Sequence, residues 1–143
     1  MNELAQKRIV YPTLDGGVAI IIPAPECGLT IEEIAAKDVP AGVEFEIVAV
    51  ETIPSDRTFR GAWEKQGAAV VHNLAKCKEI GHEKRRAARA AEFAPLDVEA
   101  TIPAKAQQAE AARQAIRDKY AAMQTQVDAA KSPEEIKAAL GGA

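Results

Sequence analysis

The rhythm of apolar residues changes part-way along the chain. RIVYP (8–12) and GVAIII (17–22) are β-branched runs separated by TLDGG (13–17). Asp15, Gly16 and Gly17 supply a turn that tolerates positive φ, so the pattern predicts a hairpin. TIEEIAAK (30–37) opens with Thr30, and Glu33 follows three residues later, a capping box that starts a short helix. Pro40 and Gly42 close it. EFEIVAV (44–50) sets Glu44 and Glu46 against Phe45, Ile47 and Val48, the alternation of a strand with one wet face. A strand that follows a helix can lie beside the hairpin and leave the helix over one face. Residues 1–56 therefore read as a ββαβ domain, with Ile9, Val10, Ile20, Ile22, Ile31, Ile34, Phe45, Ile47 and Val50 as its core.

From Leu74 the spacing becomes helical. Asn73 caps a predicted helix over 74–93, with Leu74, Cys77, Ile80, Ala87, Ala88 and Ala91 as a thin stripe, and Pro95 ends or kinks it. A second helix opens near Pro103 and runs to 130. Its stripe is Ala109, Ala112, Ile116, Tyr120, Met123, Val127 and Ala130, at steps of three and four. SPEEIKAALGG adds a third helix over 133–140, with Ser132 as N-cap, Pro133 in the first turn, Glu135 completing the box and Gly141 past the end. The fold class is thus α+β: a small N-terminal sheet domain (1–56), a joint (57–72) and a helical region (73–143). The two long helices read first as a hairpin. Self-association, or docking in a partner's groove, is the alternative use of the stripe.

Composition sharpens this division. Residues 1–56 carry a formal charge of −7 and residues 57–143 a formal +4, in a chain of net −3. Much of the 48% hydrophobic content is alanine and only 4% of residues are aromatic, so the core must lean on the Ile and Val of the first half. No apolar run reaches membrane-spanning length, and MNELAQKRIVYP has no charged-then-apolar signal region. We expect a soluble protein made in a cytoplasm, without membrane association.

Little chemistry survives inspection. Cys27 and Cys77, with no signal region, read as reduced thiols. His72 and His82 flank Cys77 at five residues on each side, which scatters them around a helix, so no metal is expected. The glycine pairs lie at a hairpin and near a chain end rather than between a strand and a helix, so no phosphate loop or cofactor is expected. Ser132 is a cap, and neither histidine sits in a nucleophile context. The carboxylates of Glu32, Glu33, Glu44 and Glu46 read as solvated faces. No catalytic residue is assigned. Lys76, Lys78, Lys84, Arg85, Arg86 and Arg89 make the first long helix basic, but Glu79 and Glu83 interrupt the run and the net charge is negative. Specific nucleic-acid binding is not expected.

SDRTFRGAWEKQG (55–67) stands apart, with two of the six aromatics, Phe59 and Trp63, among Asp56, Arg57, Arg60 and Glu64. Phe59 and Trp63, four apart, can pack on one face, with Arg57, Arg60 and Glu64 on the other. This reads as a joint stapling sheet to helices. The competing reading is an aromatic–arginine docking patch, because Trp and Arg are over-represented among binding hot spots.

The order GGVAIIIPAPE, DVPAG, DRTFRGAWE, LAKCKEIGHEKRRAARAAEFAPLDVEA and QAIRDKY resembles a group of small proteins encoded among the tail and tail-fibre genes of tailed bacteriophages. The residues that carry the resemblance are Asp56, Arg57, Thr58, Phe59, Arg60, Ala62 and Trp63, then Ile80, His82, Ala87 and Arg89, then Pro95, Leu96 and Asp97, and finally Arg117 and Asp118. VEATIPAK (98–105) departs from the continuous helix of that group, and the C-terminal helix is an addition. The resemblance implies a non-enzymatic tail, baseplate or fibre-attachment component of the virion, present in several copies beside other tail or fibre proteins. The alternative is an assembly chaperone that leaves the particle. Protein contacts are expected at Arg57, Phe59, Arg60 and Trp63, and along Ile116, Tyr120, Met123 and Val127.

Overall fold

Ile9 and Val10 are neighbours on one strand, so they point to opposite faces, and both are fully buried. A computed structural model describes residues 3–141 as an α+β protein of two compact units that divide between Asn73 and Leu74. In the first unit the predicted hairpin forms from β1 (Lys7–Pro12) and β2 (Val18–Ile21), in the register Ile9↔Ile21 and Val10↔Ile20. Gly16 takes φ 86° in the turn, a conformation that only glycine adopts without strain. β3 (Glu46–Ala49) pairs antiparallel with the other side of β1, which gives the order β2-β1-β3.

The predicted helix forms as α1 (Ile31–Asp38), and its capping box is complete. Thr30 Oγ1 accepts from Glu33 N at 3.1 Å, and Glu33 Oε2 accepts from Thr30 N at 3.4 Å. α1 buries Ile31, Ile34 and Ala35 against the Ile9 face, where Ile21 and Ile47 also pack. The opposite face was expected to be wet, and it is covered. β4 (Trp63–Gln66) and β5 (Ala69–His72) form a second antiparallel hairpin. It brings Trp63 and Val70 onto Val10, Val18 and Val48. Much of the stretch read as a joint therefore belongs to the core of the first unit, and that unit extends to Asn73 instead of stopping at residue 56.

Three of the expected core positions are corrected. Ile22 lies past the end of β2 and is 68% exposed, and Phe45 precedes β3 and is 39% exposed. Val50 leaves the strand for a 3-10 turn and is only half-buried. Val48 takes the inward position, because its face is the one that meets Trp63. Ile20 and Ile47 are partly buried beside the two clusters.

The second unit contains α2 (Leu74–Glu99), α3 (Ala106–Ala129) and α4 (Pro133–Leu140), each packed against the other two. α2 does not stop at Phe93. It continues through Pro95, which removes one backbone donor without ending the helix. α3 opens at Ala106, so Pro103 lies in the preceding turn and not in the first helical turn. At α4 Ser132 Oγ accepts from Glu135 N at 3.1 Å, and Gly141 closes the helix at φ 59°. Glu135 does not complete a reciprocal box. Its carboxylate instead accepts from Lys131 N.

The inward face of α2 also differs from the expected alanine stripe. Cys77, Gly81 and Arg85 are the buried positions, at steps of four, while Ala87 and Ala91 are exposed. A stripe chosen by hydrophobicity alone passes over a glycine and an arginine that packing has turned inward. The α3 stripe is as predicted, with Ala109, Tyr120, Val127 and Ala130 buried and Ala112, Ile116 and Met123 half-buried. None of the helices is long and apolar enough to cross a membrane among the described residues.

Candidate functional site

Trp63 begins β4 and is 1% exposed. Burial of an indole leaves its N–H in need of an acceptor, and the hairpin register supplies one. Trp63 is paired with His72, and its Nε1–H donates to His72 Nε2 at 3.1 Å, with the rings edge to face at 6.3 Å. Nε2 must then be the unprotonated nitrogen of His72.

Two guanidiniums stack on the same indole, with Arg60 Cζ 4.7 Å and Arg57 Cζ 5.7 Å from its centroid. This corrects the expected division of the segment into an aromatic face and an arginine face. Residues 60–62 form a 3-10 turn and Trp63 starts a strand, so i,i+4 helix geometry does not apply. Arg60 Nη2 also donates to Val18 O at 2.9 Å, which ties the turn to β2. Burial, and then the charge of Arg57, lower the pKa of Arg60 from its ordinary value. Asp56 Oδ1 accepts from Thr58 N at 2.9 Å and Thr58 Oγ1 at 2.6 Å, fixing the approach. Arg57 remains exposed while Phe59, at 2%, is buried. Of the four site residues expected here, Arg57 is exposed and Arg60 half-buried, while the two aromatics are buried in the core.

The expected contact stripe on α3 is partly buried. Tyr120 and Val127 are 3% and 0% exposed, and Ile116 and Met123 are half-buried. Tyr120 and Val127 hold α3 within its own unit, while Ile116 and Met123 keep part of their surface exposed.

A second constellation lies between α2 and α3, and the sequence reading did not assemble it. Arg86, Arg89, Phe93 and Asp97 of α2 line a cleft of about 420 Å³ with Arg113 and Arg117 of α3. Three guanidinium carbons lie around one ring, with Arg89, Arg113 and Arg117 at 4.8, 6.0 and 5.9 Å from the Phe93 centroid. Arg113 approaches Asp97 at 3.2 Å through Nε and Glu110 at 3.2 Å through Nη1, while Arg117 reaches Glu110 at 2.9 Å. The hydrogen bond from Arg117 holds the Glu110 carboxyl below its ordinary pKa. The signals were present as R-x-x-R-x-x-x-F on one helix and R-x-x-x-R on the next. Only the antiparallel packing of α2 on α3 brings them together.

Nearer the other end of these helices, Arg85 Nε donates to His82 Nδ1 at 3.2 Å, and His82 Nε2 lies 2.7 Å from Asp128 Oδ1. Lys78 Nζ donates to Asp128 O at 2.8 Å. Since Arg85 can only donate, His82 presents Nδ1 as acceptor and Nε2–H as donor, and the chain of contacts ties α2 to α3. Cys27 is exposed and Cys77 is fully buried. Among the described residues no group of three His, Cys, Asp or Glu side chains is placed to hold a metal.

No family model matches the chain, and no curated protein or solved structure does either.

Proposed function

We propose that the chain is a non-enzymatic interaction protein of a bacteriophage tail, acting through the arginine pair mounted on Trp63. The observation that carries this reading is the stack of Arg57 and Arg60 over a buried indole, with Arg57 exposed. A guanidinium held on an aromatic face is already ordered, so less rotamer freedom is lost when a partner docks. Its N–H groups still point outward in the plane of the fork and suit carboxylates or backbone carbonyls.

The resemblance to tail-region proteins supports the same assignment, because its most distinctive run, Asp56 to Trp63, is the segment that builds this patch. Asp56 and Thr58 shape the approach, Arg57 and Arg60 stack, and Ala62 and Trp63 are buried. The partner is a tail or fibre protein, and several copies of the chain take part in the assembly.

A mass-spectrometric protein inventory of purified particles tests the assignment. The protein is expected at fixed stoichiometry in intact tails. Its presence in infected cells but not in particles would make it an assembly chaperone. For the patch, Arg57→Ala is expected to weaken capture of the tail partner by about ten-fold or more, the scale of a docking hot spot, without lowering the melting temperature. Undiminished capture would remove the patch from the interface.

A further inference from the structure

The cleft between α2 and α3 carries an inference independent of the tail assignment. Four guanidiniums, of Arg86, Arg89, Arg113 and Arg117, share it with the carboxylate of Asp97, and Glu110 pairs with two of them, Arg113 and Arg117. Four positive groups against two negative ones leave two positive charges. They are not spread evenly. Both carboxylates are engaged on the α3 side, by Arg113 and Arg117, and among the described residues no carboxylate pairs with Arg86 or Arg89. Arg113 Nε is buried and faces Asp97 at 3.2 Å. The cleft thus holds excess positive charge, concentrated on the Arg86 and Arg89 side, where like charges crowd one another.

We propose that this cleft is a binding site for a compact, multiply charged phosphate-type oxyanion. Planar forks present paired N–H donors to oxygens of tetrahedral anions, and a dianion matches the local excess of two. Phe93 orders the donors. With Arg89 at 4.8 Å and Arg113 and Arg117 at about 6 Å from its centroid, the ring already carries cations. It is therefore not free to stack on a nucleobase, the platform on which single-stranded nucleic-acid sites depend. The volume of about 420 Å³ lies at the lower end of the range for small-molecule sites. A phosphate, a pyrophosphate or the phosphoryl end of a small ester fits this description better than a polymer does.

The test is calorimetric titration of the full chain with pyrophosphate, at ionic strength held constant with sodium chloride. Saturable binding at one site per chain is expected, with amide shifts in NMR confined to residues around Arg86–Phe93 and Arg113–Arg117. Arg86→Gln with Arg89→Gln should weaken binding at least ten-fold while leaving the helical circular dichroism unchanged. Arg86→Lys with Arg89→Lys should recover part of the affinity, because charge returns without the planar fork. Equal affinity for succinate would overturn the phosphate class. Binding of a single-stranded oligonucleotide without binding of pyrophosphate would make the cleft a nucleic-acid surface and sink the proposal. So would undiminished pyrophosphate binding by the double glutamine variant. None of these outcomes depends on Arg57 or on the tail partner.

Discussion

A β-carbon built on Gly81 would lie 2.9 Å from Ile136 Cγ2, so α2 and α4 meet where only a glycine leaves room. Val127 of α3 closes the same point, its Cγ1 at 3.5 Å from that position. Ile136 and Val127 are both fully buried. The three helices are therefore locked around a residue whose side chain is a hydrogen.

Gly81→Ala sets two effects against each other. Alanine favours the helix by about 1 kcal/mol, whereas overpacking a filled core costs about 1–3 kcal/mol. Because Ile136 has no exposed direction into which to retreat, the clash is expected to win. Urea denaturation should show a net loss of about 1 kcal/mol. In an Ile136→Leu background, which removes the offending γ-methyl, the same change should be neutral or stabilising. A double-mutant cycle with no coupling would refute the contact.

Trp63 and His72 form the second test. Trp63→Ala should cost roughly 3–5 kcal/mol as a large buried aromatic is removed, enough to unfold much of a marginal unit. His72→Leu keeps the volume roughly but leaves the Trp63 N–H without its acceptor, and about 1–3 kcal/mol should be lost. Adding Trp63→Phe should return part of that loss, since the orphaned donor is gone. Thermal melts of the three variants decide the matter, and a His72→Leu protein as stable as the parent would show the hydrogen bond to be dispensable.

The helical unit should weaken in acid. Glu92 is held below its ordinary 4.5 chiefly by the hydrogen bond from Lys119, and Glu110 chiefly by that from Arg117. Both carboxyls bind protons less readily when folded than when unfolded. Their contribution is whole above pH 4.5 and is lost as pH falls through the lowered folded values. Both groups are solvated, so the effect is modest and salt should shrink it. Glu92→Gln with Glu110→Gln should flatten the slope of stability against pH in this window. An unchanged slope would assign acid sensitivity to other carboxylates.

The two cysteines should differ in reactivity. Cys27 is exposed, whereas Cys77 is fully buried, and burial followed by the charge of Glu134 raises its thiol above the ordinary 9.0. The thiolate is the nucleophile, so iodoacetamide near pH 8 should modify Cys27 alone in the native protein. Cys77 should label only after denaturant is added. Peptide mass spectrometry checks this, and equal labelling rates would mean that the helical unit opens readily.

What could be read from the chain beforehand was what local chemistry fixes. Asp15-Gly16-Gly17 specified the first hairpin, Thr30 with Glu33 specified α1, and Ser132, Pro133 and Gly141 bounded α4. The second hairpin escaped because Glu64 and Lys65 mask a strand whose inward residues are only Trp63 and Val70. Gly67, at φ 61°, was the available signal for its turn. A local rule makes Pro95 an end or a kink of the helix, yet α2 continues past it to Glu99. Six of the eight expected docking residues are aromatic or apolar, and such side chains are the ones a small protein needs for its own core. The arginine cleft depends on the register between α2 and α3, and no short-range pattern encodes that register.

The order β2-β1-β3 constrains how the first unit can be made on a ribosome. Its central strand emerges first, but one of its two neighbours, β3, is separated from it by more than thirty residues that include α1. Until Ala49 has left the exit tunnel, Lys7 to Val10 have an open row of backbone donors and acceptors on that side. Val10 lacks its cover until Trp63 and Val70 follow. A truncated or stalled chain of this protein would thus display its central strand with an unpaired edge, a template for intermolecular pairing. Translation arrest within 22–62 should yield aggregates, whereas release after Asn73 should yield a soluble first unit.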